Sequence, residues 1–295
     1  MAKEKLVKRK FDYFINFLIF LLIVGGIVLI AYPFVTQYLY RNKAINEINI
    51  FKKEARLLGE EEINRRMLLA QGYNEALQQG VVKSDDPYIN KRREEGVKEY
   101  ARMLEVAEKI GSIQIPKIGQ DIPIYAGTGE NVLQKGVGHM EGSSLPIGGN
   151  GVHTILTAHR GLPTARLFTD LDELESGDRI YVENIKETIA YQVTGKEVIK
   201  PNNFKSLVIE DGKDQLTLLT CTPYLVNSHR LLVHAQRIDY VAEVRNVDIR
   251  LGIVSQRDKY LFYGVGILAG LVFILNIKQA RKLRRLSREF KLLDE

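Results

Sequence analysis

Residues 217–233 read TLLTCTPYLVNSHRLLV. The apolar run Gln215–Cys221 ends in the single cysteine of the chain. A loop of eight residues opens at Thr222-Pro223, and a second run, Arg230–Arg237, follows it. Leu, Val and Thr runs bounded by Pro, Asn and Ser read as short strands joined by a turn. If the two runs are antiparallel neighbours, Arg230 returns beside Cys221 at one edge of a sheet. A thiol and a guanidinium then share one strand end.

The same texture extends upstream. From Gly111, Ile113, Ile115, Ile118, Ile122 and Ile124 are interleaved with Pro116, Gly119 and Pro123. Val152–Ala158, Arg179–Val182 and Thr188–Lys200 then read as further strands between Gly, Pro, Asn and Asp turns. Short strands at regular spacing without alternating helices imply a mainly β unit over 111–240, an antiparallel barrel or sandwich. Before it, apolar residues recur at helical spacing: Ile45, Ile48, Phe51, Ala55 and Leu58, then Ile63, Met67, Ala70, Tyr73 and Leu77. This predicts one long or two short amphipathic helices, a break at 81–90, and a charged helical pattern over 91–109.

Charge places the chain at a membrane. The net charge is +6, yet residues 41–259 hold 30 Lys and Arg against 31 Asp and Glu. The excess lies at the two ends, which argues against nucleic-acid binding. Two uncharged stretches adjoin it, Tyr13–Tyr40 and Tyr260–Ile277. The second would be about 27 Å long as a helix, enough to span a bilayer. The first is too long for a cleaved signal, and Ala31-Tyr32-Pro33 is a poor cleavage site. Lysines and arginines precede the first stretch at 3–10 and follow the second at 278–291. The positive-inside rule puts both termini in the cytoplasm and 41–259 outside. A single thiol outside the cell is unusual unless it is used.

His159 ends the run Val152–Ala158 and offers an acid or base. A thiolate attacks carbonyls, an imidazole moves protons, and an arginine stays cationic and donates to an oxyanion. Cys221, His159 and Arg230 together fit acyl transfer through a thioester. His139, His153, His229 and His234 are rival bases, and periodicity does not choose among them. One Cys with dispersed His gives no metal-ligand spacing, and no cofactor motif is present.

The segment Thr217–Val233, with TLLTC and a downstream Arg, resembles the active-site signature of sortases. GVGHMEGSSLPIGGNGVHTILTAHRGLPTARLFTDLDEL, Gly136–Leu174, resembles the histidine region of class C, pilus-assembling sortases, and IPKIGQDIPIYAGT, Ile115–Thr128, continues the likeness. The resemblance implies an eight-stranded sortase β-barrel, with Cys221 as nucleophile, His159 as general acid/base and Arg230 supporting the intermediate. It implies cleavage of an LPxTG-like sorting signal between Thr and Gly, followed by attack of a lysine amine of the next pilin. Asp86-Pro87-Tyr88 resembles the lid motif of this class, although an aromatic other than Tyr is commoner there. His234-Ala235-Gln236 departs from the basic or glycine-containing stretch usual at that place.

The expected plan is a basic N-terminus (1–12), a transmembrane helix (13–40), and an external helical extension (41–110) with a lid at 84–90. The catalytic barrel (111–240), a juxtamembrane linker (241–259), a second transmembrane helix (260–277) and a basic tail (278–295) follow. Pilin subunits and the lipid bilayer are the expected partners. Anchoring of surface proteins to peptidoglycan, and a non-catalytic receptor or scaffold, are the competing readings.

Overall fold

In the computed structural model eight strands close into a barrel in the order β1-β2-β3-β4-β7-β8-β6-β5. The structure describes residues 2–79, 102–201 and 203–253, with six scattered helical positions between 264 and 278. The strands are β1 (Lys109–Ile115), β2 (Gln120–Ala126), β3 (Val137–His139), β4 (Val152–Thr157), β5 (Arg179–Glu183), β6 (Thr188–Ile199), β7 (Asp214–Thr222) and β8 (His229–Ile238). Ile113, Ile115, Ile122 and Ile124 are all fully buried, each contributing about 1.5–3 kcal/mol of transfer free energy.

The barrel is not antiparallel throughout. β2 pairs parallel with β3, and β4 pairs parallel with β7. The β5–β6 hairpin lies between β4 and β7 in sequence, so β7 arrives running the same way as β4. This parallel pair is what brings the ends of β4 and β7 to one edge.

Among the described residues two helices precede the barrel, α1 (Ala2–Arg56) and α2 (Glu60–Gln79), and a short third, α3 (Glu130–Leu133), follows β2. The expected extension helix is thus continuous with the apolar stretch before it. Ala44, Ile48, Phe51 and Ala55 form the buried stripe of α1, three to four residues apart. Ile45, expected in that stripe, is 40% exposed. Lys109, buried at the start of β1, pairs with Glu47 of α1 at 2.7 Å. On α2, buried Asn74 donates to Leu145 O (3.1 Å) and accepts from Leu145 N (2.7 Å). One amide therefore satisfies both backbone groups of a barrel loop.

Three expectations change. The helical pattern over 91–109 does not extend to its end: residues 102–108 turn and Lys109 already opens β1. That strand begins two residues before the expected barrel boundary at 111. Residues 242–253, expected as linker, form a helix, α4, docked on the barrel. Its Arg245, Asp248 and Gly252 share one face. Tyr181 OH donates to Asp248 Oδ2 at 2.5 Å, and Arg179 pairs with the same carboxylate at 3.2 Å. A Cβ on Gly252 would lie 2.0 Å from Pro116 O, so only glycine allows this approach. Glu183 of β5 meets both helices, Lys52 of α1 at 2.8 Å and Arg245 of α4 at 3.7 Å.

Among the described residues no helix is long and apolar enough to cross a membrane. Both apolar stretches, 13–40 and 260–277, fall partly outside the described residues or side chains. Within the first, Leu22, Val28, Leu29 and Val35 are each more than half exposed.

Candidate active site

β7 and β8 are antiparallel neighbours, and their register sets Cys221 directly opposite Arg230. Alternation along the two strands separates two faces. Leu216, Leu218, Leu231 and Val233 point into the barrel core. Thr217, Leu219 and Cys221, with Arg230, Leu232 and His234, take the outer face. Leu219 and Leu232 there join Ile155, Met140, Ile199 and Leu207 in a second apolar cluster, with Phe204 packed on it. Cys221 and Arg230 are 7% and 4% exposed, so both sit under cover at the strand ends.

His159 reaches the same edge from β4. The parallel register places Thr157 beside Leu219. Beyond the strand, Ala158 N donates to Leu219 O (3.3 Å) and Thr220 Oγ1 donates to Ala158 O (2.8 Å). The backbone therefore still runs alongside β7 as it enters His159. Phe168 N donates to His159 O at 3.2 Å, closing the following loop back on the histidine.

The rival histidines are placed differently. His139 is buried on β3, its Nε2–H donating to Ser144 O at 2.8 Å. Burial pulls its pKa down to about 4, opposed by that bond. His153 and His234 lie lower on the outer face. His229 is opposite Thr222, one residue past Cys221 and so on the other face from Arg230.

Arg230 is held by the turn that precedes it. Its Nη1 donates to Asn227 O and His229 O, both at 3.1 Å. The turn closes through Val226 N and Asn227 N, which donate to Pro223 O at 3.1 and 2.9 Å. Tyr224, Leu225 and Val226 are exposed at its tip. A Cβ on Gly161 would meet the Tyr224 ring at 2.9 Å, so this loop and the one after His159 are in contact.

Two residues that sequence reasoning missed, Glu130 and Arg160, belong to the site's frame. Glu130, in the first turn of α3 (Glu130–Leu133), places Oε1 3.2 Å from His159 Nε2. Arg160 donates to Thr169 O (3.1 Å) and Thr222 Oγ1 (2.9 Å) and pairs with Asp172 (2.7 Å). It thereby ties the loop after His159 to the end of the strand that carries Cys221. Arg160 adjoins His159 in the sequence and was legible there; Glu130 carries no local signal. α1 also reaches this loop, Thr36 Oγ1 donating to Pro163 O (3.1 Å) and Arg166 N to Gln37 Oε1 (2.8 Å).

Asp86, Pro87 and Tyr88 lie outside the described residues. A cleft of about 780 Å³ opens between α2 and residues 147–152, away from Cys221. Its lining includes Asn64, Gln71, Gln78, Glu75 and Lys186 and none of Cys221, His159 and Arg230. Among the described residues no three His, Cys, Asp or Glu are grouped for a metal ion.

Known proteins share this fold. The sortase-domain family matches residues 113–238. Sortase C1 of GBS Pilus Island 1 superposes with a TM-score of 0.63 at 52% identity, covering 68% of this chain and 94% of that one. Sortase C-1 from Streptococcus pneumoniae gives 0.63 at 54% identity, covering 66% and 100%. Sortase A of Bacillus anthracis is 31% identical over 131 residues, which are 44% of this chain and 60% of that relative's length.

Proposed function

The chain belongs to the sortase family, in its class C branch, and from that premise we propose a membrane-anchored cysteine transpeptidase that polymerises pilins. The observation that carries the reading is the opposition of Cys221 and Arg230 across β7–β8, with His159 delivered to the same edge by the parallel β4–β7 pair.

The steps follow from the groups present. The Cys221 thiolate adds to the carbonyl carbon of Thr in an LPxTG-like signal, and the oxygen becomes an oxyanion. The Arg230 guanidinium, opposite Cys221 on β8, stabilises that charge. Collapse breaks the Thr–Gly C–N bond; protonated His159 gives its proton to the departing Gly amine. The thioacyl enzyme remains. A lysine amine of the next pilin then adds to the thioester carbonyl and loses a proton to neutral His159. Expulsion of the Cys221 thiolate leaves an isopeptide bond and restores the starting protonation. No external reductant, oxidant or cofactor enters.

The apolar stretches 13–40 and 260–277 would anchor the enzyme at the cell surface with both termini cytoplasmic and the barrel outside. The exposed apolar side chains of α1 between 21 and 39 support the first anchor. Asp86-Pro87-Tyr88 would act as the lid over Cys221. Changing Asp86 and Tyr88 to Ala should then speed labelling of Cys221 by a small thiol reagent; unchanged labelling removes the lid from the proposal.

Mass spectrometry of the enzyme incubated with a sorting-signal peptide tests the core reading. An adduct of the peptide's acyl fragment at Cys221, absent in Cys221→Ala, is the expected result. An unmodified Cys221, or an adduct elsewhere, would overturn it. Offering a pilin lysine and a peptidoglycan stem amine together separates pilus assembly from wall anchoring.

A further inference from the structure

The outer face of β4, β7 and β8 is layered. Cys221 and Arg230 form the top level, Leu219 and Leu232 the next, and Thr217 and His234 the third. Through that third level runs a line of four short polar contacts. Val208 O is 2.8 Å from His153 Nδ1, and His153 Nε2 is 2.8 Å from Thr217 Oγ1. Thr217 Oγ1 is 2.9 Å from His234 Nδ1, and His234 Nε2 is 3.2 Å from Glu197 Oε1.

Counting hydrogens along this line gives a definite result. A carbonyl closes one end and a carboxylate the other, and both only accept. Four hydrogen bonds need four hydrogens. Two neutral imidazoles and one hydroxyl supply three. All four bonds form together only when the line carries one proton beyond its neutral complement.

We propose that His153, Thr217, His234 and Glu197 form a proton-binding relay that fastens residues 203–213 over the face of the sheet carrying Cys221. The fastening point is Val208. On either side of the apolar level, Phe204 and Leu207 of the same segment pack against Ile155, Leu219 and Leu232, directly beneath Cys221 and Arg230. A peptide approaching the thiol along this face meets that segment, so the relay positions a wall of the binding surface rather than a reacting group.

The direction of the bonds follows from where the proton rests. Burial pulls His153 below the usual histidine range; the bond to Val208 O and the charge of Glu210 oppose this, and His234 adds to it. His153 is therefore the neutral imidazole, and the extra hydrogen completes the line at the His234–Glu197 end. His153 Nδ1–H donates to Val208 O and Thr217 O–H donates to His153 Nε2. His234 donates through Nδ1–H to Thr217 and through Nε2–H to Glu197. The charged groups facing the line are Glu197 from β6, His234 from β8, and Glu210 from the fastened segment. Glu210 is itself engaged by Lys213 at 2.6 Å and by Gln215 at 3.4 Å. Without the extra proton the Glu197 carboxylate keeps the Nε2–H of His234, the donor sense of the line reverses, and His153 Nδ1 is left acceptor against acceptor with Val208 O, so the fastening weakens.

Hydrogen exchange of residues 203–213 in the full chain, corrected for intrinsic rates, reads this without reference to catalysis. In the parent protein protection should fall roughly three- to tenfold, one net hydrogen bond, between about pH 5 and about pH 8. Thr217→Val should show the low protection at every pH, and Thr217→Ser should restore the parent behaviour. Glu197→Gln is the decisive variant. Its amide N–H supplies the missing fourth hydrogen to a neutral His234, so protection should stay high and become flat with pH. Parent-like pH dependence in Glu197→Gln, or parent-like protection in Thr217→Val, would overturn the relay. In kinetics with a sorting-signal peptide, Thr217→Val should raise KM more than it lowers kcat; the reverse split counts against a positioning role. Because this role rests on the sortase reading only in the kinetic arm, a parent enzyme that forms no thioacyl adduct fails that reading and leaves the exchange result standing.

Discussion

Arg230 lies directly across the β7–β8 pair from Cys221, and its guanidinium is fixed by two backbone carbonyls of its own turn. A side chain held this way is set in place before a substrate arrives, which is the condition for an oxyanion donor to be effective. Lysine keeps the charge but loses the planar fork. Arg230→Lys should lower kcat for thioacyl formation by about 10²-fold, the usual cost of one oxyanion donor, with a smaller change in KM. Burst kinetics on a sorting-signal peptide would measure it, and an unchanged burst would reassign Arg230 to structure.

The histidines separate by face. His159→Ala should abolish adduct turnover by a lysine amine, whereas His229→Ala, on the other face of β8, should retain most activity. Loss of activity in His229→Ala together with survival in His159→Ala would require a different proton carrier.

Arg160 touches no reacting atom, yet it joins Thr169, Thr222 and Asp172. Arg160→Ala leaves these partners unjoined and should lower Tm by a few degrees, the effect of about 1–2 kcal/mol in a domain of this size. It should also lower kcat, because the loop after His159 loses its tie to β7. Arg160→Lys should recover the pairing with Asp172 but not the bonds to both Thr169 and Thr222, and so recover only part of each effect.

His139 predicts acid sensitivity. Its folded pKa, about 4, lies below the ordinary histidine value of about 6.5, so the unfolded chain takes up the proton first. The stability linked to this group is complete above about pH 6.5 and is lost as pH falls toward about 4, up to roughly 3 kcal/mol. Urea midpoints of the parent and His139→Gln, compared across that window, should diverge at neutral pH and converge in acid. Parallel curves would show that His139 does not govern this slope.

How much could be read in advance depended on the range of each interaction. The β7–β8 hairpin carried its own evidence: two alternating runs, a turn, and a thiol and a guanidinium at matching ends. The inward set Leu216, Leu218, Leu231 and Val233 follows from strand periodicity. The parallel neighbours did not show, because β4 and β7 are joined only through β5 and β6, and nothing local reports which way a strand returns. Glu130 was invisible for the same reason, lying 29 residues from His159. The departure at His234-Ala235-Gln236 was legible but had no meaning until His153, Thr217 and Glu197 stood beside it.

α1 grips the barrel at two levels, through Thr36, Gln37 and Tyr40 on the loop after His159 and the turn before β3, and through Glu47 and Lys52 on β1 and β5. Between the two grips it is unbroken helix, so their angular phase is fixed by the number of intervening residues. One residue inserted between Tyr40 and Ala44 would rotate one grip against the other by about 100°, turning Thr36 away from Pro163 or Glu47 away from Lys109. Seven residues would nearly restore the phase. The helix is keyed like a shaft, and its length in this interval is constrained by rotation as well as by reach.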